Sequence, residues 1–424
     1  MIDYLYIEKK LNTIHFVKLQ FCDCGTSLET LFSEINQLSK ESTPFLFKKL
    51  LSCNITNGYK VIKKNKGKIF LLFSNSYAGR KDHRNSFNQV ANLASDSLTL
   101  SGENSVKLKS APFNFLGLIW LIQLFPISFP LSYKLSVCII LSRVYLDYSF
   151  IKSQIDKNIK NIELFVTFFD CAPIDYLVVC YCNKIKIPTS TLQHGLYFPY
   201  DDGVVNIAFR NSPSKYFLSY GEWTNQQAAK VGINDKKLIR LGCPKHINLK
   251  IVDTKTPSQK IFGVVLEGLA QGKKINPSNT QLINIANEFA KENNLQYILR
   301  LHPNDHIITY KKYIDYNYCV KIEDAKHNVS ISDFISEIQF ALSNPSTAVA
   351  ELIYYNKIVY ILNQSEHQFE HMNDFAFDNC NLLCKIYKQH QQVYPTQQLT
   401  EIKNKFFEPG NIAGHYSKFF KHFI

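Results

Sequence analysis

Three short polar motifs carry this chain's capacity for chemistry, and each follows an apolar run. Thr191-Leu-Gln-His-Gly195 supplies an imidazole, His194, beside a glycine. Arg300-Leu-His-Pro303 supplies a guanidinium and a second imidazole two residues apart, so Arg300 and His302 share a face if the run is a strand. Ser343-Asn-Pro-Ser-Thr347 supplies hydroxyls at the start of a helix-like stretch, and Glu351 lies one turn beyond Thr347 on the same face. An imidazole titrating near about 6.5 can take the proton of an attacking hydroxyl. Arg300 is suited to a bidentate bond with phosphate, and His302 to bonding a phosphate or protonating a departing one. Free N–H groups at a helix start attract an anion, with Ser346 or Thr347 as the cap. Glu351 is placed to accept both hydroxyls of a ribose. Asp201-Asp202-Gly203, shortly after His194, offers paired carboxylates that read either as a catalytic base or as a turn.

Plainer readings stand beside these. His194 also suits a structural histidine at a turn, and His-Pro is a common pair. Thr347 with Glu351 resembles a capping box, but with one residue more than the usual spacing. His367 and His371 have helical metal spacing without the zincin glutamate, so no metal site is expected. With no G-x-G-x-x-G or Walker motif, no cofactor is expected either.

Chemistry at strand ends needs strands beneath it. The sequence predicts them at 68–73, 162–168, 188–192, 260–266, 296–301, 319–322, 339–343 and 357–362. Helices are predicted up to about Ala94, at 173–182, 225–231, 278–292, near Ser332, at 348–355 and at 412–423. This alternation argues for an α/β protein with parallel sheets and right-handed crossovers. In such sheets ligands bind outside the carboxyl ends of the strands. The polar stretch 247–259 with Pro257 reads as a linker. It separates a first domain, 1–246, from a second, 259–405, with 406–424 as a terminal helix packing back.

Length and composition agree. The 424 residues exceed one typical core, and 46% apolar with 20% charged residues is ordinary for a globular protein. The net charge of +13 suits an anionic membrane face or anionic substrates. No nucleic-acid-binding signature is present, and the Lys60, Lys63, Lys64, Lys66 and Lys68 cluster also reads as a solvated surface. Eleven cysteines, without a C-x-x-C pair, lie mostly in apolar contexts and imply reduced thiols in the cytosol. The start of the chain reads as a strand and lacks a signal peptide's pattern. Residues 113–141 are strongly apolar but broken by Pro126 and Pro130. They read as buried helices around a proline turn, or as a membrane-facing hairpin.

Taken together, the motifs resemble those of bacterial GT-B-fold transferases of surface-polysaccharide assembly. Asp201-Asp202-Gly203, His302-Pro303 and Ser346-Thr347 follow the motif order of bacterial sialyl- and polysialyltransferases. His194-Gly195, Arg300 to Pro303, and Ser343 to Glu351 look similar to the motifs of CDP-glycerol glycerophosphotransferases, although Gln193 stands where those usually have Trp. The likeness covers about residues 190–365. It implies a GT-B fold, two Rossmann-like domains facing a cleft, and a metal-independent, inverting glycosyltransferase of capsule or lipopolysaccharide synthesis. Catalysis would fall to His194, or to Asp201 or Asp202. A CMP- or CDP-linked donor would be held by Arg300, His302, Pro303, Ser343, Ser346, Thr347, Glu351 and Gly268. The implied partners are that nucleotide-activated sugar and a saccharide or lipid-linked acceptor, at the inner membrane face of the cytoplasm. The alternatives are a glycerol- or ribitol-phosphate transferase, a non-catalytic polysaccharide-binding partner, and a nucleotide-sugar epimerase.

Overall fold

Apolar runs with little polar alternation form the central strands, because a parallel sheet is covered on both faces. The computed structural model describes residues 35, 38–51, 58–64, 67–74, 81–103, 119, 121–122, 124, 129–196, 212–247, 260–268, 276–302, 305–324, 331–363 and 369–424. The chain divides into two compact units. The first comprises Met1–Asn248 and Glu408–Ile424, and the second Leu249–Phe407.

The sheet of the first unit has seven strands. Across its width they run β1 (Gly58–Lys64), β3 (Ser97–Glu103), β2 (Ile69–Phe73), β4 (Leu164–Thr167), β5 (Thr189–Leu192), β6 (Tyr216–Ser219) and β7 (Leu238–Arg240). Every neighbouring pair is parallel except β1–β3, which is antiparallel. Strand alternation supplies two cores at once. Phe70, Leu72 and Phe165 face helices α1 (Thr43–Leu51), α3 (Leu131–Asn158) and α4 (Pro173–Lys184). Ile69, Leu71, Phe73 and Val166 face α2 (Lys81–Leu93) and α12 (Ile412–Lys421). Helix α5 (Glu222–Lys230) joins β6 to β7.

The described part of the apolar segment 113–141 belongs mainly to α3. Pro130 stands at the helix's N-cap, and Leu135 and Val137 to Leu141 are buried. Among the described residues no helix is long and apolar enough to cross a membrane. Strands β1 and β3, like the short β6 and the short strand Ala376–Phe377 of the second unit, lie outside the sequence expectation. Strand β1 runs along the sheet edge and exposes Lys60, and a lysine there discourages pairing with another chain. Strand β3 alternates polar and apolar residues.

The sheet of the second unit is wholly parallel. Its order is β10 (Cys319–Asp324), β9 (Gln296–Leu301), β8 (Ile261–Val265), β11 (Phe340–Ser343), β12 (Ile358–Leu362) and β13 (Ala376–Phe377). Its helices are α6 (Pro277–Asn293), α7 (Ile307–Tyr310), α8 (Ile331–Glu337), α9 (Thr347–Tyr354), α10 (Cys380–Gln392) and α11 (Thr396–Phe406). On one face Phe262 stacks on Phe340 at 5.3 Å between ring centroids, with Phe289 edge-on at 5.5 Å. On the other face Gly263 lets α8 approach. A Cβ there would lie 2.5 Å from the Phe334 ring. The α/β class expected from the sequence, with two Rossmann-like parallel sheets, is what the strands show.

Each sheet grows in two directions from one strand. From β2 the chain builds β3 on one side and β4 to β7 on the other. From β8 it builds β9 and β10 on one side and β11 to β13 on the other. The β2/β4 and β8/β11 junctions are therefore topological switch points, where diverging connections leave a crevice at the carboxyl ends of the strands.

Candidate functional site

In the first unit the β2 and β4 strand ends carry buried polar groups. Ser74, immediately after β2, is fully buried. Beyond β4 lie Phe168, Phe169 and Asp170, and α4 begins at Pro173 with Asp175 in its first turn. Asp170 accepts from Ser212 Oγ at 2.7 Å and from the Ser214 N–H at 3.1 Å. Its own N–H donates to Thr191 Oγ1 at 3.1 Å. These bonds tie the end of β4 to β5 and to the approach to β6. Asp175 accepts from the Thr167 hydroxyl. Burial raises both carboxyls, Asp175 to about 7, with the Thr167 hydroxyl pulling that one down and the Ser212 hydroxyl doing so for Asp170.

His194 sits two residues past β5, half-buried. Its ring lies 4.3 Å from the Phe169 ring and 5.8 Å from that of His83, a buried residue on α2. The loop beneath it is fixed by Gln193. The Gln193 Nε2 donates to the Gly195 carbonyl at 2.7 Å and to Thr224 Oγ1 at 3.0 Å, and Oε1 accepts from the Tyr220 N–H at 2.6 Å. The strand-end imidazole is thus held by a residue whose amide bonds both its own loop and the start of α5. Asp201, Asp202 and Gly203 lie outside the described residues.

In the second unit the β8, β9 and β11 strand ends lie side by side. After β8, Gly268 packs its backbone on the His302 ring. A Cβ on Gly268 would sit 2.8 to 3.1 Å from three of the ring atoms, so only glycine lets the imidazole lie there. After β11, Pro345 leads to Ser346, the N-cap of α9. Ser346 is extended and makes no side-chain cap bond, and its Oγ is buried without a partner. Thr347 and Glu351 follow on α9, both half-buried. Ser343 is fully buried and turns its hydroxyl to the Asn344 carbonyl at 2.7 Å, toward its own backbone.

Arg300 is occupied within the sheet. It pairs with Glu323 directly across on β10, with 2.9 Å between Nη1 and Oε2, and its guanidinium lies over the Phe334 ring at 5.4 Å. Glu323 is buried and also receives Lys321 Nζ at 2.9 Å. The ion pair clamps β9 to β10 just before His302. Pro303 and His367 lie outside the described residues. His371 packs against Phe406 at 4.8 Å, and burial pushes it down to about 4.

Sequence reading passed over the group that holds these strand ends together. Asn279, fully buried on α6, accepts from the Glu267 N–H at 3.1 Å and from Asn344 Nδ2 at 2.7 Å. Its Nδ2 donates to the Glu267 carbonyl and to Tyr310 Oη, both at 2.9 Å. One side chain therefore joins the exits of β8 and β11 to the segment after β9. A signal existed. Asn279 stands in register with Leu282, Ile283 and Ala286, the buried face of α6. A polar residue on such a face needs buried partners. Asp170 and Asp175 stand out likewise within an otherwise apolar stretch.

No protein-family model and no curated protein matches the chain. Among solved structures, it is similar to the UDP-GlcNAc 2-epimerase from Neisseria meningitidis bound to UDP-GlcNAc. Identity is 14% and the TM-score 0.45, over 84% of this chain and 98% of that one. A putative UDP-N-acetylglucosamine 2-epimerase from Listeria monocytogenes gives 10% identity and a TM-score of 0.49, over 84% and 94%. The wall teichoic acid polymerase TagF gives 12% and 0.39, over 65% and 84%.

Proposed function

We propose that the chain is a glycosyltransferase of the GT-B kind that uses a nucleotide-activated sugar. The observation that carries this reading is the β8/β11 switch point. One side presents Gly268 with the His302 ring on its backbone, and the other presents α9 with its unpartnered Ser346 hydroxyl. Such an end offers an anion a helix N-terminus, an imidazole and hydroxyls without rearrangement. In this reading the second unit holds the donor. Ser346, Thr347 and His302 meet the phosphates and Glu351 meets the ribose. Arg300, neutralised by Glu323, fixes the end of β9.

The first unit supplies acceptor binding and the base. His194 takes the proton of the acceptor hydroxyl as its oxygen attacks the anomeric carbon. The bond from that carbon to the nucleotide phosphate breaks, and the leaving phosphate's charge is offset by His302 and the start of α9. The sequence resemblance favours a cytidine nucleotide and an acceptor belonging to a surface polysaccharide at the membrane face.

A thermal-shift panel of CMP, CDP, UDP, UMP, GDP and ADP tests the donor site. A nucleotide at 100 times its Kd should add about 2.7 kcal/mol of stability. The expected outcome is a shift with a cytidine nucleotide that is lost in His302→Ala and kept in His194→Ala. In the transfer assay His194→Ala should lose about 10²- to 10⁴-fold in rate. A shift with UDP alone replaces the cytidine assignment, and turnover without an acceptor replaces transfer by epimerisation. No shift with any nucleotide overturns the reading.

A further inference from the structure

The second unit holds a cluster of two thiols and a carboxylate where the C-terminal end of α6 meets α10. Cys380 and Cys384 lie one turn apart on α10, with 3.9 Å between their Sγ atoms. Glu292, near the C-terminal end of α6, brings Oε2 to 3.1 Å from Cys384 Sγ. The three donor atoms lie within 4.8 Å of one another. Both thiols are buried and Glu292 is exposed, so the carboxylate is the side open to solvent.

Three features separate this cluster from a chance meeting of side chains. A tetrahedral zinc ion with Zn–S bonds of about 2.3 Å sets its two sulfurs about 3.8 Å apart. The observed spacing already makes that edge. Asn293 Nδ2 donates to Cys384 Sγ at 3.3 Å, the kind of outer bond that orients a thiolate ligand. Glu288 stands one turn before Glu292 on α6, so an i,i+4 pair of carboxylates accompanies an i,i+4 pair of thiols.

We propose that Cys380, Cys384 and Glu292 bind a thiophilic divalent cation of the Zn²⁺ class, with water at the fourth position. The bound ion pins the end of α6 to α10. Binding forms two metal–sulfur bonds and one metal–oxygen bond, and two protons leave the thiols. Both thiols must give up their protons to bind the ion, so its affinity rises with pH. Asn279 lies on the same helix, near its other end. The site is therefore structural and stands apart from the bonds that Asn279 makes at the exits of β8 and β11.

Cobalt is the probe. The full chain, stripped of metal and kept reduced with a phosphine, is titrated with Co²⁺ and then with Zn²⁺. The expected result is a thiolate-to-cobalt charge-transfer band in the near ultraviolet, saturating at one equivalent and erased by Zn²⁺. Zn²⁺ should also raise the melting temperature. The double substitution Cys380→Ser, Cys384→Ser should remove the band. Glu292→Gln, an exposed change that leaves the core intact, should weaken cobalt binding by at least about tenfold. The proposal is overturned if folded wild type gives no thiolate band, or if the band survives the double substitution and so belongs to others of the 11 cysteines. It is also overturned if Glu292→Gln binds as tightly as wild type, or if a Cys380–Cys384 disulfide is the only chemistry the pair shows.

Discussion

At Asp175 the cost of burial can be read from one carboxyl group. Its titration moves from the ordinary 3.8 to about 7 because the ionised form is shut away from water. The fold therefore prefers the protonated acid. That contribution to stability is complete below about pH 4 and drains away as pH rises toward 7, amounting to about 4 kcal/mol at most. His371, pushed down to about 4, works in the opposite sense, its contribution growing as pH rises from 4 toward 6.5. The wild-type curve alone mixes the two, and Asp175→Asn separates them. An asparagine oxygen still accepts from Thr167, and the amide carries no charge to bury. Chemical denaturation at pH 5 and pH 8 should find the variant gaining on wild type as pH rises, and more stable at pH 8. A variant less stable than wild type at pH 8 would show that the carboxylate holds the end of β4 by a charge the buried geometry does not reveal.

Among the elements, the loops that deliver the candidate donor residues depend on one helix. Asn279→Leu would remove four hydrogen bonds, to the Asn344 amide, both Glu267 backbone groups and Tyr310 Oη. Each hydrogen bond lost costs about 0.5–1.5 kcal/mol. The second unit should lose several kcal/mol in denaturant, and nucleotide-induced stabilisation should vanish, with the first unit's transition unmoved. The strands that such loops follow were legible in the sequence for a physical reason. Ile69 to Phe73, Ile261 to Val265 and Ile358 to Leu362 are buried on both faces and so read as unbroken apolar runs. Strand β1 was not legible, because an edge strand rich in lysine reads as surface. The strand-end motifs were visible because each is contiguous. The Asn279–Asn344 bond was not, because its partners stand 65 residues apart and meet only when β8 and β11 pair.

On the scale of the whole molecule, the last 17 residues complete a unit that began before the second one. Ile412, Tyr416 and Phe420 enter the core beside Leu71 and Val166, and Tyr416 Oη donates to the Gly242 carbonyl at 3.2 Å. The Ile412 side chain fills the space that a Cβ on Gly242 would need. Deleting residues 408–424 should therefore unfold or loosen the first unit while leaving the second intact. Limited proteolysis would show it as a protected fragment within 249–407 and rapid loss of the rest. Equal protection of both units in the truncated chain would mean that the terminal helix is dispensable.

That threading also sets an order of birth on the ribosome. The sheet of the first unit emerges early yet lacks three of its core side chains until synthesis has passed Leu249–Phe407. At roughly 10 residues per second the wait is about a quarter of a minute. During it the second unit, contiguous in the chain, can close by itself. The nascent first unit meanwhile leaves open the part of the β2 and β4 face that α12 later covers.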